Sequence, residues 1–424
     1  MPGMNTGLEG KRTMHDTSIF EKIVLDNGVT IWRQYIPFQV DRKGIIAACL
    51  PNVGSICDPP ELPGLAHFFE HAPFLGTTSR PNYTAVHAPI EDLAGHIGAS
   101  TSQSWIRYHC ILPQEYFKLA VTSVYELAAQ ALFRPEDIIL ERGNILEEWK
   151  RYHAQGDSVS AAAMIKAFYQ HEPLGNPIIG YPETISAITS DDIRAFFNRH
   201  FVSGNFHVVI GGAFALSDDV LSLVVELFST LPAKPADTPT PLRLPQWKGR
   251  HVILNDTDFK RDWLYMSWFL DGNVEKAASR IADHLGQDMT SPLISLFRGK
   301  MGSAYEKGWG STGYFRGITS LGFNMPINVK HFSLAQDTVY HELEKLTPEK
   351  IIREQSIAQI ARDYQCPHPT DVAKGAVVDL TNYGRIKSIW EHEAENDELT
   401  VEEVMAVRDF LLGTRPFICE ARAS

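Results

Sequence analysis

A proline-rich segment limits most strongly what this chain can fold into, because it separates two long stretches. Residues 231–250, LPAKPADTPTPLRLPQWKGR, hold five of the 25 prolines. Proline at this density cannot continue a helix or a central strand, so we expect a semi-rigid, extended linker. About 230 residues precede the linker and about 180 follow it. At roughly 150 residues per domain, each side is long enough for a core of its own.

The two stretches resemble each other at a fixed offset. PEDII at 135–139 matches PEKII at 348–352, which lies 213 residues later, and both begin with the proline and acid typical of a helix start. The same offset carries 67–71 onto 280–284. We predict two copies of one fold, the alternative being two unrelated α+β domains. The predicted units are a disordered lead-in at 1–19, a first domain at 20–230, the linker at 231–250 and a second domain at 251–424.

Strand and helix patterns occur in blocks rather than in strict alternation, which favours an α+β fold. Asn27-Gly28 between two β-rich runs predicts a hairpin. The expected strands are 44–50 and 205–210, both buried, and 104–112, which has an alternating pattern. The expected helices are 64–75, 82–97 and a series from 114 to 152.

Composition excludes several classes of protein. The 424 residues include 39 Lys plus Arg and 51 Asp plus Glu, a formal net charge of −12, which argues against binding to nucleic acid or to an anionic membrane. Apolar runs are too short for a membrane span. The five cysteines are scattered without a CxxC pair, which argues against a disulfide scaffold and fits a reducing compartment, so we expect a cytoplasmic protein. They are Cys49, Cys57, Cys110, Cys366 and Cys419.

The most informative motif is His67-x-x-Glu70-His71 in GLAHFFEH. On a helix, histidines four residues apart project from one face, so both imidazoles can reach one zinc ion. Glu70 is offset from them and can act on a water molecule rather than bind the metal. The alternative is a pair of surface histidines beside a glutamate, but the apolar context favours a buried metal site.

A catalytic zinc needs a third protein ligand, and the helical stretch LERGNILEEW supplies candidates. Glu141, Glu147 and Glu148 all compete for this role. Glu141 and Glu148 are seven residues apart and share a helix face, so one could bind zinc while the other orients a ligand histidine. Without the upstream histidines, this acidic helix would be interpreted as a solvated face.

These motifs together resemble the pitrilysin/insulinase family of zinc metallopeptidases, the inverted zincins. LDNGVTIW, GSICD, GLAHFFEH, FLGT and ERGNILEEW occur in the family's order within residues 25–149, and the resemblance extends over nearly the whole chain. Within the family, the branch of two-domain subunits that includes mitochondrial processing peptidase is the most similar. The family places its glutamate ligand about 75 residues after HxxEH. This spacing selects Glu148, and Glu141 then matches the family's second acid.

The resemblance implies a zinc endopeptidase that acts on peptides or short unfolded segments. One zinc ion per chain would be held by His67, His71 and Glu148, and Glu70 would activate the zinc-bound water. The family adds the substrate as an extra strand to a sheet edge, which here corresponds to residues 98–101. The family more often has Asn-Ala where this chain has Gly98-Ala99.

The resemblance also implies a partner subunit. In the family, four such domains close as a clamshell around a chamber, and an Arg/Tyr pair in the domain opposite the zinc polarises the substrate carbonyl. Arg298 and Tyr305 have that spacing here. This chain corresponds to one half of the clamshell, so a homodimer or a heterodimer with a paralogous subunit is expected.

Two further expectations concern the second domain and the zinc helix. The second domain is a degenerate copy without metal, because Arg280 and Ala361 stand where His67 and Glu148 stand in the first. Pro73 is expected to bend or end the zinc helix just past His71.

The alternative functions are a non-catalytic scaffold or core subunit of the same fold, the zinc-bearing half of an obligate heterodimeric peptidase, and an acidic metal-binding module.

Overall fold

The computed structural model describes residues 20–35, 43–154, 156–170, 172–212, 217–236, 244–286, 291–300, 308–353, 369–387 and 389–424. The predicted lead-in, Tyr305, Ala361 and Cys366 lie outside these residues.

The first half of the chain forms a six-stranded mixed sheet with the strand order β1-β2-β6-β3-β5-β4. β2 and β6 are parallel, and the other neighbouring pairs are antiparallel. The predicted hairpin joins β1 to β2, and β4 is the last strand, at one edge. The strands are β1 Phe20–Val24, β2 Thr30–Tyr35, β3 Lys43–Pro51, β4 His96–Thr101, β5 Trp105–Pro113 and β6 His207–Gly212.

The second half forms a five-stranded sheet that repeats the connectivity of the first. Its order is β7-β11-β8-β10-β9, with β7 parallel to β11 and the other neighbours antiparallel. This is the arrangement of β2 to β6, and β9 and β10 begin 213 residues after β4 and β5. The predicted α+β class is confirmed. The strands are β7 His251–Asp256, β8 Trp263–Asp271, β9 Trp309–Phe315, β10 Ile318–Met325 and β11 Phe417–Ala423.

Helices cover both sheets, and the first four of them begin within about three residues of the predicted starts. For the helix expected over 82–97, the predicted C-terminal end is wrong. It stops at Glu91 because Ala94 turns into the left-handed region at φ 51°, after which β4 begins. The helices are α1 Leu65–His71, α2 Tyr83–Glu91, α3 Phe117–Ala129, α4 Pro135–Ala154, α5 Gly156–Tyr169, α6 Pro182–Ala187, α7 Ser190–His200, α8 Asp218–Ser229, α9 Glu275–Gly286, α10 Pro292–Lys300, α11 Phe332–Glu344, α12 Pro369–Tyr383, α13 Ile389–Asp397 and α14 Val401–Gly413.

Each half of the chain contributes one helix to the core of the other. α5 precedes the proline-rich segment, yet Val159 and Phe168 on it belong to the core of the second sheet. α12 follows that segment, yet Ala373 and Val377 pack on the first sheet, on the face opposite α1. The predicted domain boundaries at 20–230 and 251–424 stay a prediction. Each core contains a helix from the other side of the proline-rich segment.

No helix in the described ranges combines the length and the apolar character that a membrane crossing requires.

Candidate metal centre

The helix that carries the histidine motif has a defined start and a defined end. α1 follows Gly64, whose φ of 99° favours glycine. Both oxygens of the buried Asp58 accept hydrogen bonds at its N-terminus, from the N–H of Gly64 at 2.8 Å and of Ala66 at 2.7 Å. The α-helix ends at His71 and continues as one 3₁₀ turn that contains Pro73. This end agrees with the prediction from the proline, and both histidines lie before it.

The acidic helix α4 crosses close to α1 and presents two of its glutamates to it. Glu141 is buried, at 8% exposure, and Glu148 lies two turns further along the same face. Glu147 points away and pairs with Lys150 at the surface. The structure therefore places Glu141 and Glu148, and not Glu147, beside the histidines.

Three side chains converge on one point between α1 and α4. The Nε2 atom of His67 lies 3.8 Å from Oε1 of Glu148, and Nε2 of His71 lies 3.6 Å from Oε2. One ligand atom from each of the three residues lies within 4.8 Å of the others. Bonds of about 2.0–2.2 Å in a tetrahedral arrangement separate ligand atoms by about 3.4 Å. In the part of the chain that the structure describes, no other group of three such residues comes this close.

Glu141 orients His71. Its Oε1 lies 2.9 Å from Nδ1 of His71, and its Oε2 accepts a hydrogen bond of 2.9 Å from Nδ2 of Asn144. Burial alone would lower the pKa of His71, but this hydrogen bond and the charges of Glu70, Glu141 and Glu148 together raise it. With Nδ1–H donating to Glu141, the Nε2 atom is directed to the point of convergence, as in carboxylate–histidine–metal arrangements.

His67 is held by packing rather than by a hydrogen bond. Burial and the neighbouring His71 lower the pKa of His67 to about 3, so its ring is neutral at physiological pH, as a metal ligand must be. Its Nδ1 atom is buried and lacks a hydrogen-bond partner. The two histidines thus differ, since only His71 has a carboxylate behind it.

Glu70 lies beside this point and beside the edge of the first sheet. Burial raises the pKa of the Glu70 carboxyl above its ordinary value, which suits a group that must take up and release a proton. Thr101 of β4 is next to it. The motif therefore places one titratable carboxyl between the candidate ligands and the sheet edge.

Two cavities flank the centre. One of about 180 Å³ lies on the side of His71 and is lined by Phe74, Tyr83 and His87 among others. The second, of about 280 Å³, lies on the side of His67 and reaches Ile165 of α5. β4 passes along both, because Ile97 lines the first and Thr101 lines the second.

The residues present fit a zinc ion. Two imidazole nitrogens and one carboxylate match the His₂Glu donor set of catalytic zinc sites, and their spacing is close to that of a bound ion. His67 is neutral, as a metal ligand must be, and the carboxylate behind His71 holds a proton of that ring on Nδ1, which directs Nε2 to the ion.

The second half places different residues at the equivalent positions. Arg280 and His284 on α9 stand where His67 and His71 stand on α1, and Arg280 forms an ion pair with Asp283 at 3.5 Å. The backbone of Arg298 belongs to α10. Tyr305 lies outside the described residues, so the role of this pair stays a prediction.

Sequence reasoning missed two residues that support the centre. Asn144 fixes Glu141 from one turn away on the same helix, and the i,i+3 spacing of the two polar residues could have indicated it. The motif GSICD contains Asp58 but assigns it no role of its own. Its role at the start of α1 depends on the path of the loop from 58 to 64, for which the sequence carries no periodic signal.

Comparisons with known families agree with this architecture. Residues 47–181 match the family model described as "Insulinase (Peptidase family M16)". Residues 187–362 match the model described as "Peptidase M16 inactive domain". The two models follow each other in the chain, the first over the candidate metal centre and the second over most of the second sheet.

Individual proteins resemble the chain over different lengths. An uncharacterized zinc protease of Rickettsia felis is 26% identical over 344 residues, which cover 78% of this chain and 79% of that protein. A probable mitochondrial-processing peptidase subunit beta of Arabidopsis thaliana is 28% identical over 187 residues, or 44% of this chain and 35% of that protein. The crystal structure of a protease from Helicobacter pylori has a TM-score of 0.82 at 18% identity and covers 96% of this chain and 99% of that chain.

Proposed function

Because the chain belongs to the insulinase family of peptidases, family M16, we propose that it is a zinc-dependent endopeptidase that hydrolyses peptides or short unfolded segments. One observation carries the proposal. His67, His71 and Glu148 converge within 4.8 Å of one another while Glu70 lies beside them. A non-catalytic scaffold subunit would have no need of both the ligand set and the adjacent base.

The proposed chemistry divides between the metal and the chain. One zinc ion per chain, held by His67, His71 and Glu148, would act as a Lewis acid that polarises the scissile carbonyl and lowers the pKa of a water molecule. Glu70 takes the proton from the attacking water and returns it to the leaving amine. Its buried position, which raises the pKa of its carboxyl, makes both transfers easier near neutral pH. Glu141 keeps His71 in the tautomer with Nε2 free.

The edge strand β4 is the proposed site of substrate binding. Its outer edge faces no other described strand, so a peptide can add to the sheet there through backbone hydrogen bonds. A peptide in this position passes Glu70 and directs alternate side chains to the two flanking cavities. Gly98 leaves the backbone of this edge open to close approach.

We further propose that the active particle contains two subunits around a chamber. Arg298 and Tyr305 of one subunit would polarise the carbonyl held at the zinc centre of the other. A homodimer is sufficient for this arrangement, and a heterodimer with a paralogous subunit is the alternative.

The four described cysteines are free thiols, which supports a reducing location such as the cytoplasm.

The test combines metal analysis with a peptidase assay. Wild type and Glu70→Gln are purified, their zinc content is measured, and cleavage of a mixed library of unstructured peptides is followed by mass spectrometry. We expect about one zinc per chain in both proteins and cleavage by the wild type alone. Glu147→Gln, an exposed change on α4, is the matched control and should cleave normally.

Two results would overturn parts of the proposal. Wild type that binds no zinc would remove the metal assignment. Wild type that binds zinc but cleaves nothing, alone or with each candidate paralogous subunit, would instead identify a non-catalytic subunit of the same fold.

A further inference from the structure

A strained turn in the second half of the chain carries a large charged side chain. Arg316 and Gly317 form the two-residue turn between β9 and β10, with φ of 47° and 89°. Such a turn needs positive φ at both positions, which glycine and asparagine adopt most easily. Arginine in this conformation costs free energy that Asn-Gly would avoid. A residue held in this conformation despite its cost is a candidate for a functional role.

The guanidinium of Arg316 reaches across to the first half. Its Nη2 donates a hydrogen bond of 2.8 Å to Oδ1 of Asn52, a residue 264 positions earlier in the chain. Asn52 follows the end of β3 and has a φ of 64°. Two residues in the left-handed region thus meet side chain to side chain, one from each sheet.

Asn52 begins a short loop, residues 52–58, that we call the strap. The strap is fixed to the turn between β4 and β5, because Ser55 N–H donates to Ser102 O at 3.1 Å and Ile56 N–H donates to Gln103 O at 2.9 Å. At Gly54 a Cβ atom would lie 2.4 Å from Ser102 O, so the backbones are in direct contact. The strap therefore supports the edge strand proposed to bind substrate.

The other end of the strap holds the helix of the two histidines. Asp58, its last residue, accepts the N–H groups of Gly64 and Ala66 at the start of α1. His67 is the next residue after Ala66. A loop of seven residues therefore joins Asn52 to both the metal helix and the substrate edge, and the connections at its far end are backbone contacts or buried hydrogen bonds.

We propose that Arg316 is a positioning residue for the zinc centre, acting from the second sheet through Asn52 and the strap. This inference rests on the proposed function, since it assumes that His67 and His71 hold zinc. The bond to Asn52 fixes the start of the strap, and Asp58 fixes the start of α1. The second half of the chain thereby contributes to the geometry of a centre whose ligands all lie in the first half.

The test uses variants that suit the turn and the loop better than the native residues do. Arg316→Asn creates an Asn-Gly turn, which favours the native hairpin, and Asn52→Gly keeps the left-handed conformation while removing the acceptor. Arg385→Gln, which removes an exposed ion pair with Glu391, is the control. For each protein we would measure the rate of zinc transfer to a chromophoric chelator, kcat and KM on one peptide, and the thermal midpoint.

We expect Arg316→Asn and Asn52→Gly each to speed zinc loss and lower kcat by about threefold to tenfold, with an unchanged or higher thermal midpoint. The double variant should be no worse than either single one, because both remove the same bond. The control should match the wild type. Wild-type zinc retention and kcat in Arg316→Asn would overturn the inference, and so would additive losses in the double variant. Absence of zinc and cleavage in the wild type would instead overturn the proposed function.

Discussion

The Nδ1 atom of His71 lies 2.9 Å from Oε1 of Glu141, on the side of the ring away from the candidate metal position. This contact joins α1 to α4 and fixes which nitrogen of His71 is free. The carboxylate comes from the residue two helical turns before the candidate ligand Glu148. The helix α4 thus supplies the candidate ligand Glu148 and, through Glu141, orients the candidate ligand His71.

Glu141→Gln should weaken zinc binding without removing it. Glutamine can still accept a hydrogen bond from Nδ1, but the negative charge that raises the basicity of His71 is lost. Substitutions behind a ligand histidine reduce metal affinity or activity by about 10-fold to 100-fold. Zinc competition with a chelator and kcat/KM on one peptide would measure the effect. Equal zinc affinity in Glu141→Gln and in the exposed control Glu147→Gln would contradict this role for Glu141.

Stability should fall with acid partly because of His207. The indole N–H of Trp32 donates to Nδ1 of this residue at 3.0 Å, and burial together with the charge of Lys22 lowers the pKa of His207 to about 4. Its pKa in the unfolded chain is about 6.5. Between these values the unfolded chain binds more protons, so the contribution of neutral His207 is complete above about pH 6.5 and is lost towards pH 4.

His207→Gln should therefore lower stability near neutral pH and flatten this part of the acid response. Urea unfolding at several values between about pH 4 and about pH 7 would measure it. His341→Gln, at an exposed position on α11, is the matched control and should keep the wild-type slope. An equally steep loss in His207→Gln and the wild type would exclude His207 as a source of the acid response.

Mixed dimers should recover activity if the Arg/Tyr pair acts on the partner's zinc centre. Glu70→Gln removes the proposed base of one subunit, and Arg298→Ala removes the group proposed to act on the zinc centre of the other subunit. A mixed dimer then contains one complete site, and random mixing should restore about one quarter of wild-type activity. Subunit exchange is confirmed by two affinity tags. Confirmed mixed dimers without activity would show that Arg298 does not act across the interface.

The local features of the centre could be predicted from sequence because helical periodicity determines them. His67 and His71 share a face of α1, and Glu141 and Glu148 share a face of α4, through spacings of four and seven residues. The repeated sheet connectivity also has a sequence counterpart in the 213-residue offset. The family resemblance then selected Glu148 among three acids, a choice that spacing alone left open.

The contacts between distant segments could not be predicted in this way. Nothing in the sequence around Arg316 indicates Asn52, because their meeting depends on how the two sheets face each other. The predicted end of α2 is wrong for a related reason. The apolar pattern continues past Glu91, but the backbone turns at Ala94 to bring the next strand beside β5.

Cutting the chain in the proline-rich segment should not separate its halves. With a protease site inserted between Ala236 and Leu244, the two fragments produced by cleavage should still elute together on size exclusion. Each fragment holds a helix that belongs to the other's core, so separation would expose the apolar faces of α5 and α12. Fragments that separate without denaturant would show that these contacts are weak.

The helix α12 also determines when the core of the first sheet can be completed during synthesis. β6, the strand of the first sheet that is synthesised last, ends at Gly212, and α12 begins at Pro369. At roughly 5–20 residues per second, a ribosome needs about 8 to 30 s to synthesise the residues between them. During that time the sheet face around Ile45 and Val209 has no α12 to cover it. This apolar face of the sheet is therefore left uncovered until most of the second half has been synthesised.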